Sequence, residues 1–189
     1  MDIFDAIKTR RSIGKVKDEP VPKEDLEKIL EAGTYAPNHH RTNPWRFFVL
    51  TGEGRNRFGE HLASVSKLSM KEPLSEEDIQ KLEKTKKKPL RAPVIIAVGV
   101  EPDDGLKIIR EEEVAAVSAA IQNMLLAAHA LGLGAVWRTG AICYHEKMKD
   151  FFQLSAKGEM AGFIYLGYPE INPTNMKKQH FNEVTQWIN

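Results

Sequence analysis

Apolar residues recur along this chain with two periods, and the switches between them divide it into segments. Ile3, Phe4 and Ile7 share a helical face over 2–9, with Asp2 placed as the N-cap. A clearer helix spans 22–35. Pro22 suits its first turn, Glu24 and Asp25 face the positive end of the dipole, Leu26, Ile29 and Leu30 form the stripe, and Gly33 marks the end. Residues 45–51 are dense in aromatic and β-branched side chains and predict a buried strand, as does the nearly all-apolar run 93–100. A helix is expected over 53–70. A second follows over 75–88, opened by a capping box of Ser75 and Asp78 and carrying Ile79 and Leu82.

The longest predicted helix covers 111–131. Three glutamates open it, and Val114, Val117, Ile121, Met124, Leu125, Ala128 and Leu131 follow at three- and four-residue steps. Small residues keep its other faces slim, which predicts burial on more than one side and a place in a core or a subunit interface. Gly132 and Gly134 end it. A short strand or extended segment at 135–139, a helix at 144–154 and a buried strand at 158–168 complete the pattern. The tail 172–189 ends in Val184, Trp187 and Ile188. The expected architecture is one domain over 1–189, α+β, with four strands and a tail strand in a mixed central sheet flanked by helices. The order of elements is not a regular βαβ alternation and holds no Gly-x-Gly-x-x-Gly turn, which argues against a Rossmann fold.

Composition narrows the function. The chain has 189 residues, 27 basic and 26 acidic side chains and a net charge of +1. That balance argues against a general nucleic-acid binder. One cysteine, Cys143, excludes an intramolecular disulfide and fits a reducing compartment. No basic, apolar leader opens the sequence and no run is long enough to span a bilayer, so a cytoplasmic protein without membrane contact is expected.

Several chemistries lack their residues: there is no His-Glu-x-x-His, no Cys-x-x-Cys, no P-loop and no Gly-x-Ser-x-Gly elbow. Adjacent His39 and His40 point apart, so no metal site is expected. Cys143 reads as a small buried hydrophobe, and His129 and His145 as structural or surface residues. The lysines 84, 86, 87 and 88 read as the solvated end of a helix. Two clusters remain. Arg10-Arg11-Ser12, at a helix end, suits an anionic group such as a phosphate. Ala36-Pro37-Asn38-His39-His40, followed by Asn43-Pro44-Trp45-Arg46-Phe47, suits a flat ring with polar edges.

In order and spacing these clusters resemble the FMN-dependent nitroreductases, particularly their short members. Gly132-Leu133-Gly134 leading to Trp137-Arg138-Thr139-Gly140 extends the resemblance, as does Phe163-Ile164-Tyr165-Leu166-Gly167-Tyr168-Pro169. The resemblance implies a homodimer with FMN at the subunit interface and a C-terminal tail crossing to the partner. It implies ping-pong hydride transfer from NAD(P)H through flavin N5 to a small acceptor such as a nitroaromatic or quinone, with no catalytic side chain. Arg10 and Ser12 match positions that hold the phosphate and ribityl chain, with Arg11 beside them at the pyrimidine edge. Tyr35 and His39 match positions that reach the partner's flavin, and Pro37 and Asn38 shape their loop. Trp137, Arg138 and Thr139 match the segment against N5 and O4. The chain departs from the family at Gly14, where many members carry lysine, and at Arg41 and Asn43, near the usual pyrimidine contacts. Arg11, Arg41 or His40 could substitute; Lys177 and Lys178 read as solvated tail residues, with help in binding phosphate as the alternative. The segment 52–88 is the expected lid. Rival readings keep the fold and reduce C=C or carbon–halogen bonds, or bind flavin as a carrier or sensor without significant turnover.

Overall fold

The structure, a computed structural model, describes residues 1–103, 108–171 and 178–188. Its centre is a four-stranded sheet in the order β1 (Trp45–Leu50), β2 (Val94–Val100), β4 (Glu159–Gly167), β3 (Gly134–Arg138). Every neighbouring pair of these strands runs antiparallel. The four-stranded sheet is thus antiparallel where a mixed sheet was expected; an isolated parallel bridge, Ser12 to Ala135, lies beside β3.

The strands form where β-branched runs demanded them. Every residue of β2 is buried, because helices cover both faces of the sheet. Alternate residues serve different layers. Val94, Ile96, Val98, Ile164 and Leu166 pack with Ile121 and Met124 on one side. Ile95, Ala97, Phe163 and Tyr165 pack with Phe58, Leu62, Met148 and Phe152 on the other. Each fully buried side chain of this size stabilises the fold by about 1.5–3 kcal/mol.

On the first face lie α1 (Ile3–Thr9), α2 (Lys23–Thr34) and α5 (Arg110–Ala130). Asp2 caps α1 by accepting from the N–H groups of Phe4 and Asp5, as its position predicts. α5 buries Ala116, Val117, Ala120, Ile121, Met124 and Ala128, and Asn123 donates to the Ala32 carbonyl of α2. The second face carries α3 (Glu53–Lys67), α4 (Glu76–Lys86) and α6 (Glu146–Phe151). The expected capping box closes α4: Ser75 Oγ accepts from Asp78 N, and Asp78 Oδ2 accepts from Ser75 N. α3 stops before the expected residue 70, and α6 is shorter than its expected span because turns replace both ends.

The tail departs from expectation. Among its described residues there is no strand, only a 3₁₀ turn at Phe181–Glu183, and Phe181, Val184, Trp187 and Ile188 are exposed. An apolar run has no ladder to join where nothing of its own chain pairs with it.

α3 and α4 meet at Gly59, where a Cβ would lie 2.1 Å from the Lys86 carbonyl oxygen. Backbone cannot yield there as a side chain could. Gly59→Ala should therefore destabilise the protein by about 1–3 kcal/mol in urea titration. Gly54→Ala, whose Cβ would meet nothing closer than 3.8 Å, should leave the midpoint at or slightly above wild type.

Candidate functional site

The site begins with a segment laid along the edge of β3. α1 ends at Thr9, and Arg10 closes it by donating its N–H to Ala6 O. Ile13 N then donates to Ala135 O at 2.9 Å, and Lys17 N to Tyr168 O at 2.8 Å. Ile13 and Val16 are buried by this docking, so residues 10–14 are fixed against 135–138. Gly14 leaves room for the Arg138 guanidinium: a Cβ would lie 2.9 Å from Arg138 Nη2, which would have to move aside, and 3.7 Å from Val136 Cγ1.

Arg138 turns inward from β3. Its guanidinium carbon sits 5.1 Å from the centre of the Tyr165 ring, a cation–π contact. Its Nε is buried with no hydrogen-bond partner among the described residues. Burial pushes the Tyr165 hydroxyl up to about 12, against the opposing pull of Arg138 and Arg91. Tyr165 is therefore a neutral phenol at physiological pH.

Beside this pair opens a pocket of about 420 Å³, inside the range of small-molecule sites. Val136, Trp137, Arg138 and Thr139 form one wall, Leu62 of α3 and Thr85 of α4 another. Lys88 and Arg91, from the 3₁₀ turn Lys88–Arg91, close it. Its apolar lining is Leu62, Val136, Ile142 and Phe163; its charged lining is Lys88, Arg91 and Arg138, with no carboxylate among the described residues. Such a chamber suits a flat, partly apolar ring carrying negative charge. Among the described residues no group of three or more His, Cys, Asp or Glu could hold a metal.

A family model for the nitroreductase family matches residues 7–168. The chain belongs to the nitroreductase family. It is 33% identical over 171 residues to YdjA of Escherichia coli (strain K12), named "Putative NAD(P)H nitroreductase", covering 90% of each chain. It is 37% identical over 175 residues to YfhC of Bacillus subtilis (strain 168), which bears the same name, covering 92% of this chain and 88% of that one. A nitroreductase-like family protein from Bacillus cereus superposes with a TM-score of 0.86 at 29% identity, over 100% of this chain and 96% of the other. A relative from Desulfovibrio desulfuricans, solved in complex with FMN, superposes with a TM-score of 0.74 at 29% identity, over 100% and 98%. The nitroreductase-like fold expected from the sequence is thereby shown.

Within this nitroreductase-family chain, the residues singled out from sequence fall into two groups. Ser12 bridges to Ala135 on the edge of β3, and Arg10 and Arg11 lead into it from α1; none of the three lines the pocket at Trp137, Arg138 and Thr139. Arg11 turns back, its Nη1 donating to the carbonyls of Lys8 and Arg10, while its Nε is buried without a partner. Trp137 donates from Nε1 to Ala161 O across β4. The second group is elsewhere. Tyr35 is exposed at the end of α2. Asn38 accepts from the Asn43 backbone N–H, His39 Nδ1 pairs with Glu112 Oε2 at 2.5 Å, and Thr42 donates to the buried Glu113. Pro37 and Asn43 are exposed in the same loop. His40 and Arg41 are exposed there too and line no part of the pocket. Lys178 is exposed; Lys177 lies outside the described residues.

α5 separates the groups. Its first turn holds His39 and Thr42, and its last holds Thr9 through His129. Glu112 and His129 are about 25 Å apart at about 1.5 Å per residue.

Sequence reasoning missed Thr85, Lys88, Arg91 and Tyr165. The lysine run hid Lys88: Lys86 pairs with Glu60 and Glu83, as a solvated face does, but Lys88 lines the pocket. The segment expected as a lid supplies packed helices that wall the chamber.

His129 carries a readable pH dependence. Thr9 Oγ1 donates its proton to Asp5 O, so it accepts from His129 Nε2–H at 2.8 Å. Burial, then Arg10 and Arg11, lower the His129 pKa below its ordinary 6.5. As pH falls below that value, the unfolded chain takes up a proton that the folded chain refuses. Stability should fall from about pH 6.5 downward, and this loss should stop growing below the folded-state pKa. His129→Gln should flatten that part of a denaturation-versus-pH curve. Cys143, buried and pushed up to about 12 by desolvation, should resist iodoacetamide at pH 8 until the protein is unfolded.

Proposed function

We propose that this nitroreductase-family chain is an FMN-dependent NAD(P)H oxidoreductase acting on a small acceptor such as a nitroaromatic or quinone. The observation that carries the reading is the cationic pocket at Trp137–Arg138–Thr139, lined by no carboxylate among the described residues, on the strand whose Ala135 bridges to Ser12. The FMN bound in the Desulfovibrio desulfuricans relative supports it.

The residues fit the group. Arg10 has no ion-pair partner among the described residues and is free for a phosphate, whose oxygens its fork meets two at a time. Ser12 supplies a hydroxyl on the same edge. Leu62, Val136, Ile142 and Phe163 offer apolar surface to a ring, and Trp137–Thr139 offer backbone donors. Arg138, admitted by Gly14, brings positive charge to the position where many family members carry a lysine, and its unpartnered Nε is a donor in reserve. Lys88 and Arg91 add to the field that favours a negatively charged ring.

FMN bound there would supply two-electron redox chemistry between NAD(P)H and the acceptor. The protein's part is to bind, orient and shield. No side-chain general base is needed, because solvent supplies protons to the product.

The same reading includes a homodimer of single-domain, cytoplasmic subunits. His39 and Arg10 lie at opposite ends of α5, too far apart to serve one ring within one chain; a second copy supplies the missing loop. The exposed apolar tail residues Phe181, Val184, Trp187 and Ile188 suit an arm that crosses onto that copy.

Purified protein should be yellow, or turn yellow with added FMN, and should bleach with NADH or NADPH under argon. Colourless protein that takes up no FMN ends the reading. Arg10→Ala should weaken FMN binding by about 1.5–3 kcal/mol in a flavin-fluorescence titration.

A further inference from the structure

We infer that the pocket continues into a second, cationic compartment that receives an anionic oxygen group, carboxylate or phosphate, carried by the molecule that exchanges electrons with the flavin. The inference rests on the flavoprotein reading above and names a substrate feature that reading leaves open.

A cavity of about 550 Å³ adjoins the first and shares Thr85, Lys88 and Ile142 with it. Its floor is apolar, from Val65, Met70, Ala141 and Ile142. Its polar lining carries Lys81, Lys84, Lys88 and His145, and among the described residues no carboxylate lines either cavity. Lysines at a helix end are ordinarily solvated. Here the ion pairs sort the run by direction. Lys81 is held by Glu77 at 2.9 Å and Asp78 at 3.9 Å, and Lys86 by Glu60 and Glu83. Lys84 and Lys88 face the cavities and have no ion-pair partner among the described residues.

Between them lies Thr85, 7% exposed, which lines both cavities. His145 Nδ1 accepts from the Lys147 backbone N–H, so the neutral ring carries its proton on Nε2, a donor in the same lining. Unpaired cations over a low-dielectric floor focus a positive potential into the opening. An aromatic ring on that floor would set an acidic substituent against Lys84 and Lys88.

The oxygen group has two sources, the acceptor or the 2′-phosphate of NADPH. FMN-loaded protein is assayed with 4-nitrobenzoate against nitrobenzene, and with NADPH against NADH, comparing kcat/KM ratios in wild type, Lys84→Glu and Lys87→Glu. Lys87 lines neither cavity and controls for overall charge. One of the two ratios should favour the anionic partner and fall about five- to tenfold in Lys84→Glu, but not in Lys87→Glu. Rising ionic strength should erode the same ratio. The ratio affected identifies the source. Benzoate binding, measured by calorimetry with and without FMN, reads the compartment independently of turnover. Colourless protein ends the flavoprotein reading. No charge preference in either ratio, a preference that Lys84→Glu leaves intact, or benzoate binding that is absent or unaltered by Lys84→Glu overturns this inference.

Discussion

The candidate site depends on the docking of residues 12–17 against the edge formed by β3 and the end of β4. Ile13 and Lys17 donate to Ala135 and Tyr168, and Ile13 and Val16 are buried under the contact. Each hydrogen bond is worth about 0.5–1.5 kcal/mol net, and the two buried side chains add to that. The docking turns a sequence separation of more than a hundred residues into direct contact. It sets Ser12 beside Ala135 and brings Gly14 against Arg138, whose guanidinium end would have to move aside for a side chain at position 14. Motif, glycine and arginine form one arrangement, and a change at any of them is felt by the others.

α5 imposes the second constraint. It is packed on the sheet along most of its length, so its ends are fixed relative to one another. One end anchors the loop with His39 and Thr42 through Glu112 and Glu113, and the other anchors α1 through His129 and Thr9. A rigid helix therefore keeps apart two groups that both bear the marks of a ligand site. In the proposed homodimer this spacing lets each chain contribute different residues to each of two centres.

Much of this was legible from the chain. Runs such as Val94–Val100 can only be buried strands, the Ser75–Asp78 box announces α4, and the apolar spacing of α5 announces its core role. The resemblance carried by Arg10-Arg11-Ser12 and Trp137-Arg138-Thr139 led to the family that the comparisons show. Other features were not legible. β4 inserts between β2 and β3, an order set by long-range pairing. The walls contributed by Thr85, Lys88 and Arg91 were hidden because a lysine run looks alike whether its members meet glutamates or a cavity. The difference lies in Glu60 and Glu83, which take Lys86 and leave Lys88. Arg11, read as a ligand contact, uses its Nη1 to bond the carbonyls of Lys8 and Arg10, which no sequence pattern signals.

The loop between α2 and β1 holds His40, Arg41 and Asn43 at φ values of 56°, 57° and 51°, left-handed geometry that non-glycine residues enter at a cost of order 1 kcal/mol each. That tension is restrained by the grip of Glu112 and Glu113 and by Asn38 folding onto Asn43. Glycine at these three places would relax the backbone and raise robustness. It would also free a segment now locked in one shape. The native side chains thus trade thermodynamic comfort for a preset loop, a compromise expected of a segment selected for what it touches.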